Sequence, residues 1–161
     1  MTDQKKISVL FLCTGNSCRS QMAEAILHHL GGDRFESLSA GSRPAGFVHP
    51  LAIDAMEQLD IALNSTTSKS WDEFAARPVD VVITVCDAAA AEVCPVWPGS
   101  PIKAHWSLAD PAYHPGTDEE RLSFALLVAE RLKTKIQAMV ELDWSSGPVA
   151  LADRLAFLGQ I

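Results

Sequence analysis

An α/β fold, a single domain built on a parallel sheet flanked by helices on both faces, is what three observations along this chain predict. A strongly apolar run from Ile7 to Leu12 leads directly into a helix-like stretch, and strand-like and helix-like segments then alternate as far as residue 142. No repeat, low-complexity tract or convincing linker divides them. The length agrees: 161 residues with 48% hydrophobic content suit one domain with a full core.

Ile7 to Leu12 reads as a buried strand, and Arg19 to Leu30 as a helix with Met22, Ala25, Ile26, Leu27 and Leu30 on its apolar side, stopped by Gly31-Gly32. Phe35 to Ala40 is a weaker strand, followed by turn residues from Gly41 to Gly46. Pro50 to Leu59 has the pattern of a second helix. Ser70 to Ala76 reads as a short third one, opened by Ser70 as a cap with Glu73 three residues on. Val79 to Val85 returns as a clear strand, Ile102 to Trp106 as a short one, and Asp118 to Leu142 as a long amphipathic helix. The break Ser145-Ser146-Gly147-Pro148 assigns residues 1–145 to the domain and 146–161 to a tail. Leu151, Leu155 and Leu158 of that tail share one helical face, so it is expected to be helical and docked on the domain; a partner surface is the alternative.

A net charge of -7 and the lack of any Lys or Arg run exclude a nucleic-acid partner. No apolar stretch approaches the length of a bilayer span, and residues 1–6 run into a strand rather than a signal-peptide core, so no membrane is implied and a cytoplasmic location is expected. In a reducing compartment four cysteines serve catalysis or metal binding more often than structural disulfides.

The first constellation is Cys13-Thr14-Gly15-Asn16-Ser17-Cys18-Arg19-Ser20, which lies between the first strand and the first helix. Backbone N–H groups in such a turn point inward and add to the positive end of the helix dipole, so the loop can cradle a tetrahedral oxyanion. The same field favours a thiolate. A Cys13 thiolate ringed by N–H donors and by the forked Arg19 guanidinium is a nucleophile held beside the centre it attacks, which points to phosphate or a phosphate mimic. Gly15 and Asn16 tolerate left-handed backbone, and the Ser20 hydroxyl can bond the Cys13 sulfur or cap the helix. Cys18 is left between a packing role and a protective disulfide with Cys13.

Cys86 closes the strand from Val79, and Cys94 follows after seven residues. Parallel strands would bring Cys86 to the same sheet edge as Cys13, and the seven residues between Cys86 and Cys94 could let those two thiols reach disulfide distance with modest backbone movement. The other reading is a buried strand residue and a chance loop thiol; the spacing matches no structural zinc pattern, and no metal site is assigned. Asp110-Pro111 sits after another strand end, where its carboxyl could act as a general acid or simply begin a turn. His28, His29, His49, His105 and His114 show no ligand spacing; His105 is read as a satisfied core residue, with a place in the site lining as the alternative.

Val9 to Ala25, Ser39-Ala40-Gly41, Val79 to Cys86 and His105 to Ala112 together resemble the low-molecular-weight protein tyrosine phosphatase superfamily, and most closely its thioredoxin-coupled arsenate reductase branch. The resemblance implies a low-molecular-weight phosphatase-like fold, Cys13 as nucleophile, Arg19 as oxyanion clamp, Asn16 and Ser20 as supports and Asp110 as general acid. Thr14, Gly15, Asn16, Ser17, Cys18, Arg19 and Ser20 would surround the substrate. Gln21 in place of the usual Pro, and Cys86 with Cys94 as a redox pair, favour the reductase over the phosphatase. The implied reaction reduces arsenate to arsenite, with phosphate or sulfate as competing oxyanions, through a Cys13, Cys86 and Cys94 relay. No tightly bound cofactor is implied. The Cys86 to Cys94 interval is one residue longer than in thioredoxin-coupled members, which leaves thioredoxin and glutathione with glutaredoxin both open as electron donors. A potassium cluster found in some members would map onto Asn16, Glu24 and Ser39, with Lys69 near its acidic position.

Overall fold

In the computed structural model, residues 6–63, 67–86 and 100–161 are described. Four strands, β1 (Ile7–Leu12), β2 (Phe35–Ala40), β3 (Val81–Thr84) and β4 (Ile102–His105), form one parallel sheet in the order β2-β1-β3-β4. The chain leaves β1 toward β2 on one side and later returns to β3 on the other. The carboxyl end of β1 is therefore a topological switch point, where open α/β sheets bind ligands.

Among the described residues four α-helices accompany the sheet: α1 (Arg19–Gly31), α2 (Pro50–Gln58), α3 (Asp118–Val140) and α4 (Pro148–Leu158). The pleat decides what they cover. Val9, Phe11, Val81 and Ile83 point to one face and share a core with Met22 and Ile26 of α1, Ala52 and Met56 of α2, Leu132 and Ile136 of α3, and Leu155 of α4. Leu10, Leu12, Ala40 and Val82 point the other way, where Phe74 of the 3₁₀ helix Trp71–Phe74 and Val79 pack on them. Val79 and Asp80 precede β3 rather than belong to it: the Asp80 carboxylate accepts from the Ser8 N–H at 2.9 Å and from its hydroxyl at 3.1 Å. The segment after Ser70 is likewise a single 3₁₀ turn, closed by the Ser70 and Glu73 capping box.

Helix α4 lies on the helical side of the domain, with Leu151, Leu155 and Leu158 buried. Trp106, fully buried at the end of β4, donates from Nε1 to the Leu155 carbonyl at 2.9 Å. Lys135 of α3 caps the far end of α4, its Nζ donating to the carbonyls of Leu158, Gly159 and Ile161 at 3.0, 3.2 and 2.8 Å. Burial, followed by the nearby Arg131, pushes the pKa of this lysine below its ordinary value. Among the described residues no helix is long and apolar enough to cross a membrane.

Candidate active site

Leaving β1, the chain turns through residues 13–18 and enters α1 at Arg19. Asn16 takes a left-handed backbone with φ 44°, which its short polar side chain tolerates. Close approach shapes the other wall. A Cβ on Gly41 would collide with the carbonyl oxygens of Thr14 and Cys13, so only glycine lets the strand end of β2 pass the loop. Cys18 provides no side-chain cap for α1 and the first turn holds no acidic residue, which leaves the positive helix end to the loop.

Cys13 is recessed, 4% exposed, and its Sγ lies 2.8 Å from the Ser20 hydroxyl. Beneath it runs a buried polar chain. Asn16 Nδ2 donates to Ser20 and Ser39 hydroxyls, each at 2.9 Å, and the Ser39 hydroxyl donates to Glu24 Oε1 at 2.6 Å. Lys69 Nζ stands 3.7 Å from the same oxygen, and the Lys69 N–H donates to Asn16 Oδ1 at 2.7 Å. Gln21 Nε2 ties the carbonyl of Asn16 to that of Thr67 at 3.2 and 2.9 Å. Asn16, Glu24 and Ser39 thus meet, yet this donor set does not fit a potassium ion. The Asn16 amide oxygen and the Glu24 carboxylate are engaged by donors, and the Lys69 ammonium already brings positive charge to that spot.

Above the loop opens a cavity of about 570 Å³ lined by Cys13, Thr14, Gly15, Ser17, Cys18 and Arg19, with Asp110 across from them. The Arg19 guanidinium spans the gap: one nitrogen donates to the Leu108 carbonyl at 2.9 Å and another to Asp110 Oδ2 at 3.1 Å. The other Asp110 oxygen accepts from the Ala112 N–H at 3.0 Å and so fixes the short turn that aims the carboxylate. Cys18 is buried, and desolvation, then Asp110 and Cys13, push its thiol up to about 12, so it stays protonated at neutral pH.

Cys86 lies outside the cavity lining, 3% exposed, with its Sγ 3.6 Å from Thr14 Oγ1. It follows β3, whose Thr84 pairs with Leu12, so both thiols stand at the carboxyl ends of neighbouring strands. Cys94 lies outside the described residues. His105 is exposed rather than part of the core; its Nδ1 is bonded to the Thr84 hydroxyl at 2.7 Å. The buried partner of that dipeptide is Trp106.

Sequence reasoning missed the cavity's outer wall, formed by Arg43, Ala45, Phe47 and His49 after β2, with Ala112 and Tyr113 opposite. The signal that could have found them is positional: they follow a strand end of the same sheet edge that carries Cys13.

A parallel α/β sheet with a thiol and a guanidinium on an anion-binding loop at its switch point defines a class of enzymes acting on tetrahedral oxyanions. The model of the low molecular weight phosphotyrosine protein phosphatase family matches residues 8–143, and the chain belongs to that family. An arsenate reductase from Halalkalibacterium halodurans is 39% identical over 137 residues, 85% of this chain and 96% of its own length. Among solved structures, an arsenate reductase in the phosphate binding state superposes with a TM-score of 0.70 at 33% identity, covering 83% of this chain and 96% of that one. A thioredoxin-dependent arsenate reductase from Corynebacterium glutamicum aligns with a TM-score of 0.59 at 29% identity, covering 85% of this chain and 65% of that one.

Proposed function

We propose that this protein reduces arsenate to arsenite with electrons from thiols. The observation that carries the reading is the placement of a second thiol, Cys86, at the strand end beside the oxyanion loop, which a hydrolytic phosphatase has no use for. Arsenate enters with its oxygens on the loop amides and takes Arg19 from its ion pair with Asp110. The Cys13 thiolate attacks arsenic; protonated Asp110 gives its proton to a departing arsenate hydroxyl, and the As–O bond breaks to release water. Cys86 then attacks the Cys13 sulfur. The S–As bond breaks with its electron pair on arsenic, arsenite leaves, and a Cys13–Cys86 disulfide remains. Cys94 exchanges into that bond to give Cys86–Cys94 and a free Cys13, and an external thiol system, thioredoxin or glutathione with glutaredoxin, restores both thiols in the cytoplasm.

A phosphatase reading is favoured by one feature, the exposed rings of Phe47 and Tyr113 in the cavity lining, which offer apolar surface to an aryl leaving group. The test is to measure arsenite formation with thioredoxin and with glutaredoxin in separate arms, beside hydrolysis of an aryl phosphate. Multiple turnovers of arsenate in either arm are expected, with slow hydrolysis of the ester. Rapid ester hydrolysis with no arsenite in either arm would overturn the reductase reading.

A further inference from the structure

The two walls of the cavity are attached to its floor by different means. Residues 43–49 are fastened to the loop by three backbone bonds: Arg43 N–H to the Thr14 carbonyl at 2.9 Å, Ala45 to Gly15 at 2.8 Å and His49 to Ser17 at 2.8 Å. Among the described residues no backbone bond joins the opposite wall, residues 107–114, to the loop. Arg19 joins them instead, through its bonds to the Leu108 carbonyl and to Asp110 Oδ2. An oxyanion gripped by the guanidinium fork competes for both donors. The turn that carries Asp110 therefore loses its tie to the loop when Asp110 has to deliver its proton.

A second hold comes from α3. Arg121 follows Asp118, Glu119 and Glu120 in the first turn, a cation near the positive end of a helix, where the dipole gives it no stabilisation. Its guanidinium reaches out of the helix to the Ala112 carbonyl at 2.8 Å. The N–H of the same Ala112 holds Asp110 Oδ1 at 3.0 Å. Three positions along α3, and hence on the same face, Phe124 stacks on His114 with ring centroids 4.0 Å apart and planes 8° from parallel. The turn Pro111–Tyr113 is thus pinned at its middle by Arg121 and just past its end by Phe124. Helix α3 packs along α1, which begins at Arg19, so a turn held on α3 keeps its place over the loop without help from the Arg19 side chain. Burial, then the Arg121 charge, holds His49 of the fixed wall below the ordinary histidine pKa, against an opposing pull from Asp110. Arg121 and Asp110 therefore both lie within electrostatic reach of that ring.

We propose that Arg121, together with the stack of Phe124 on His114, is the clamp that keeps Asp110 in place over the loop once the substrate has taken Arg19. The inference rests on the reductase reading and makes Arg121 a positioning residue: it lies outside the cavity lining and acts through the Ala112 turn. Its contribution falls on proton delivery to the departing oxygen, not on binding of the oxyanion, which the loop amides and Arg19 supply.

The experiment follows a single turnover, in which fully reduced protein is mixed with arsenate without any donor and arsenite is measured against time. Arg121→Met should lower this rate about tenfold while the dissociation constant for inorganic phosphate stays within about twofold. Arg121→Lys should recover part of the rate, since an ammonium can still donate to the Ala112 carbonyl. In an Asp110→Asn background Arg121→Met should cost nothing further, because no acid is left to be placed. Phe124→Leu, which removes the stack but keeps an apolar residue on α3, should reproduce the pattern with a smaller fall, and it carries the test if Arg121→Met does not fold. An unchanged rate, a fall of equal size with and without Asp110, or phosphate binding weakened in step with the rate would overturn the clamp. No arsenite from the wild-type protein would instead remove the relay reading on which the clamp stands.

Discussion

Among the described residues each end of this fold buries one charged side chain, and the two are satisfied in different ways. Glu24, 2% exposed, lies below the loop and is held by side chains, Ser39 and Lys69, that lead through Asn16 and Ser20 to the Cys13 sulfur. Lys135, 3% exposed, is held by three backbone carbonyls at the end of α4 and leads nowhere further. A buried charge must be compensated in both places. Compensation by backbone fixes a helix, whereas compensation by side chains links a charge to the geometry of a reacting atom. The tail end is thus a staple and the loop end a positioning network.

The comparison can be broken by substitution, and the largest effect belongs to the loop. Cys13→Ser should reduce arsenite formation to background in a donor-coupled assay, since a hydroxyl is far less ionised than a thiol in the same field. Retained turnover would remove Cys13 from the reaction. Asp110→Asn should slow the first chemical step on the order of 100-fold in single-turnover measurements and flatten one limb of the pH profile; an unchanged profile would point to another acid. Glu24→Gln and Lys135→Met sharpen the contrast directly. Glu24→Gln should lower both kcat and thermal stability, because it weakens the anchor of Asn16 and removes the negative charge 3.7 Å from the Lys69 ammonium. Lys135→Met should lower stability by about 1–3 kcal/mol in urea unfolding, by leaving three carbonyls short of a donor, and leave kcat within about twofold. An equal loss of kcat in the two variants would erase the distinction between staple and network.

The smallest effect is a pH dependence at the cavity wall. His49 has a folded pKa below the ordinary 6.5, so above that pH the ring is neutral in both folded and unfolded chains and contributes nothing. As pH falls below 6.5 the unfolded chain takes up the proton first, and stability declines until the folded pKa is passed. His49→Asn keeps a capping side chain at the start of α2 and should remove part of that decline, read as unfolding midpoints between pH 7 and 5. Parallel pH curves for the two proteins would exclude His49 as its source.

The loop end was legible in the sequence because its chemistry is local: Cys13 and Arg19 six positions apart need a strand before and a helix after, and both are encoded by apolar pattern. β1 and β2 fall at the limits their patterns predict, Ile7–Leu12 and Phe35–Ala40. What sequence concealed depends on contacts between distant segments. Asp80 is diverted to Ser8, which shortens β3 to Val81–Thr84, and the Lys69 to Glu24 pair joins residues 45 positions apart. Arg43 and His49 carry no periodicity. Their approach to the cavity comes from three backbone bonds to the loop, which no side-chain pattern announces. His105 is exposed rather than a core residue because a strand alternates its faces, and of His105 and Trp106 only the tryptophan points inward.

Cys86→Ser bears most directly on the central claim, since it leaves the oxyanion loop, Arg19 and Asp110 in place and removes only the thiol on the neighbouring strand. With a complete donor system, arsenite formation should cease while slow aryl phosphate hydrolysis persists at the wild-type rate. Arsenite produced by Cys86→Ser as fast as by the wild type would contradict the relay, leaving Cys13 to act with an external thiol alone.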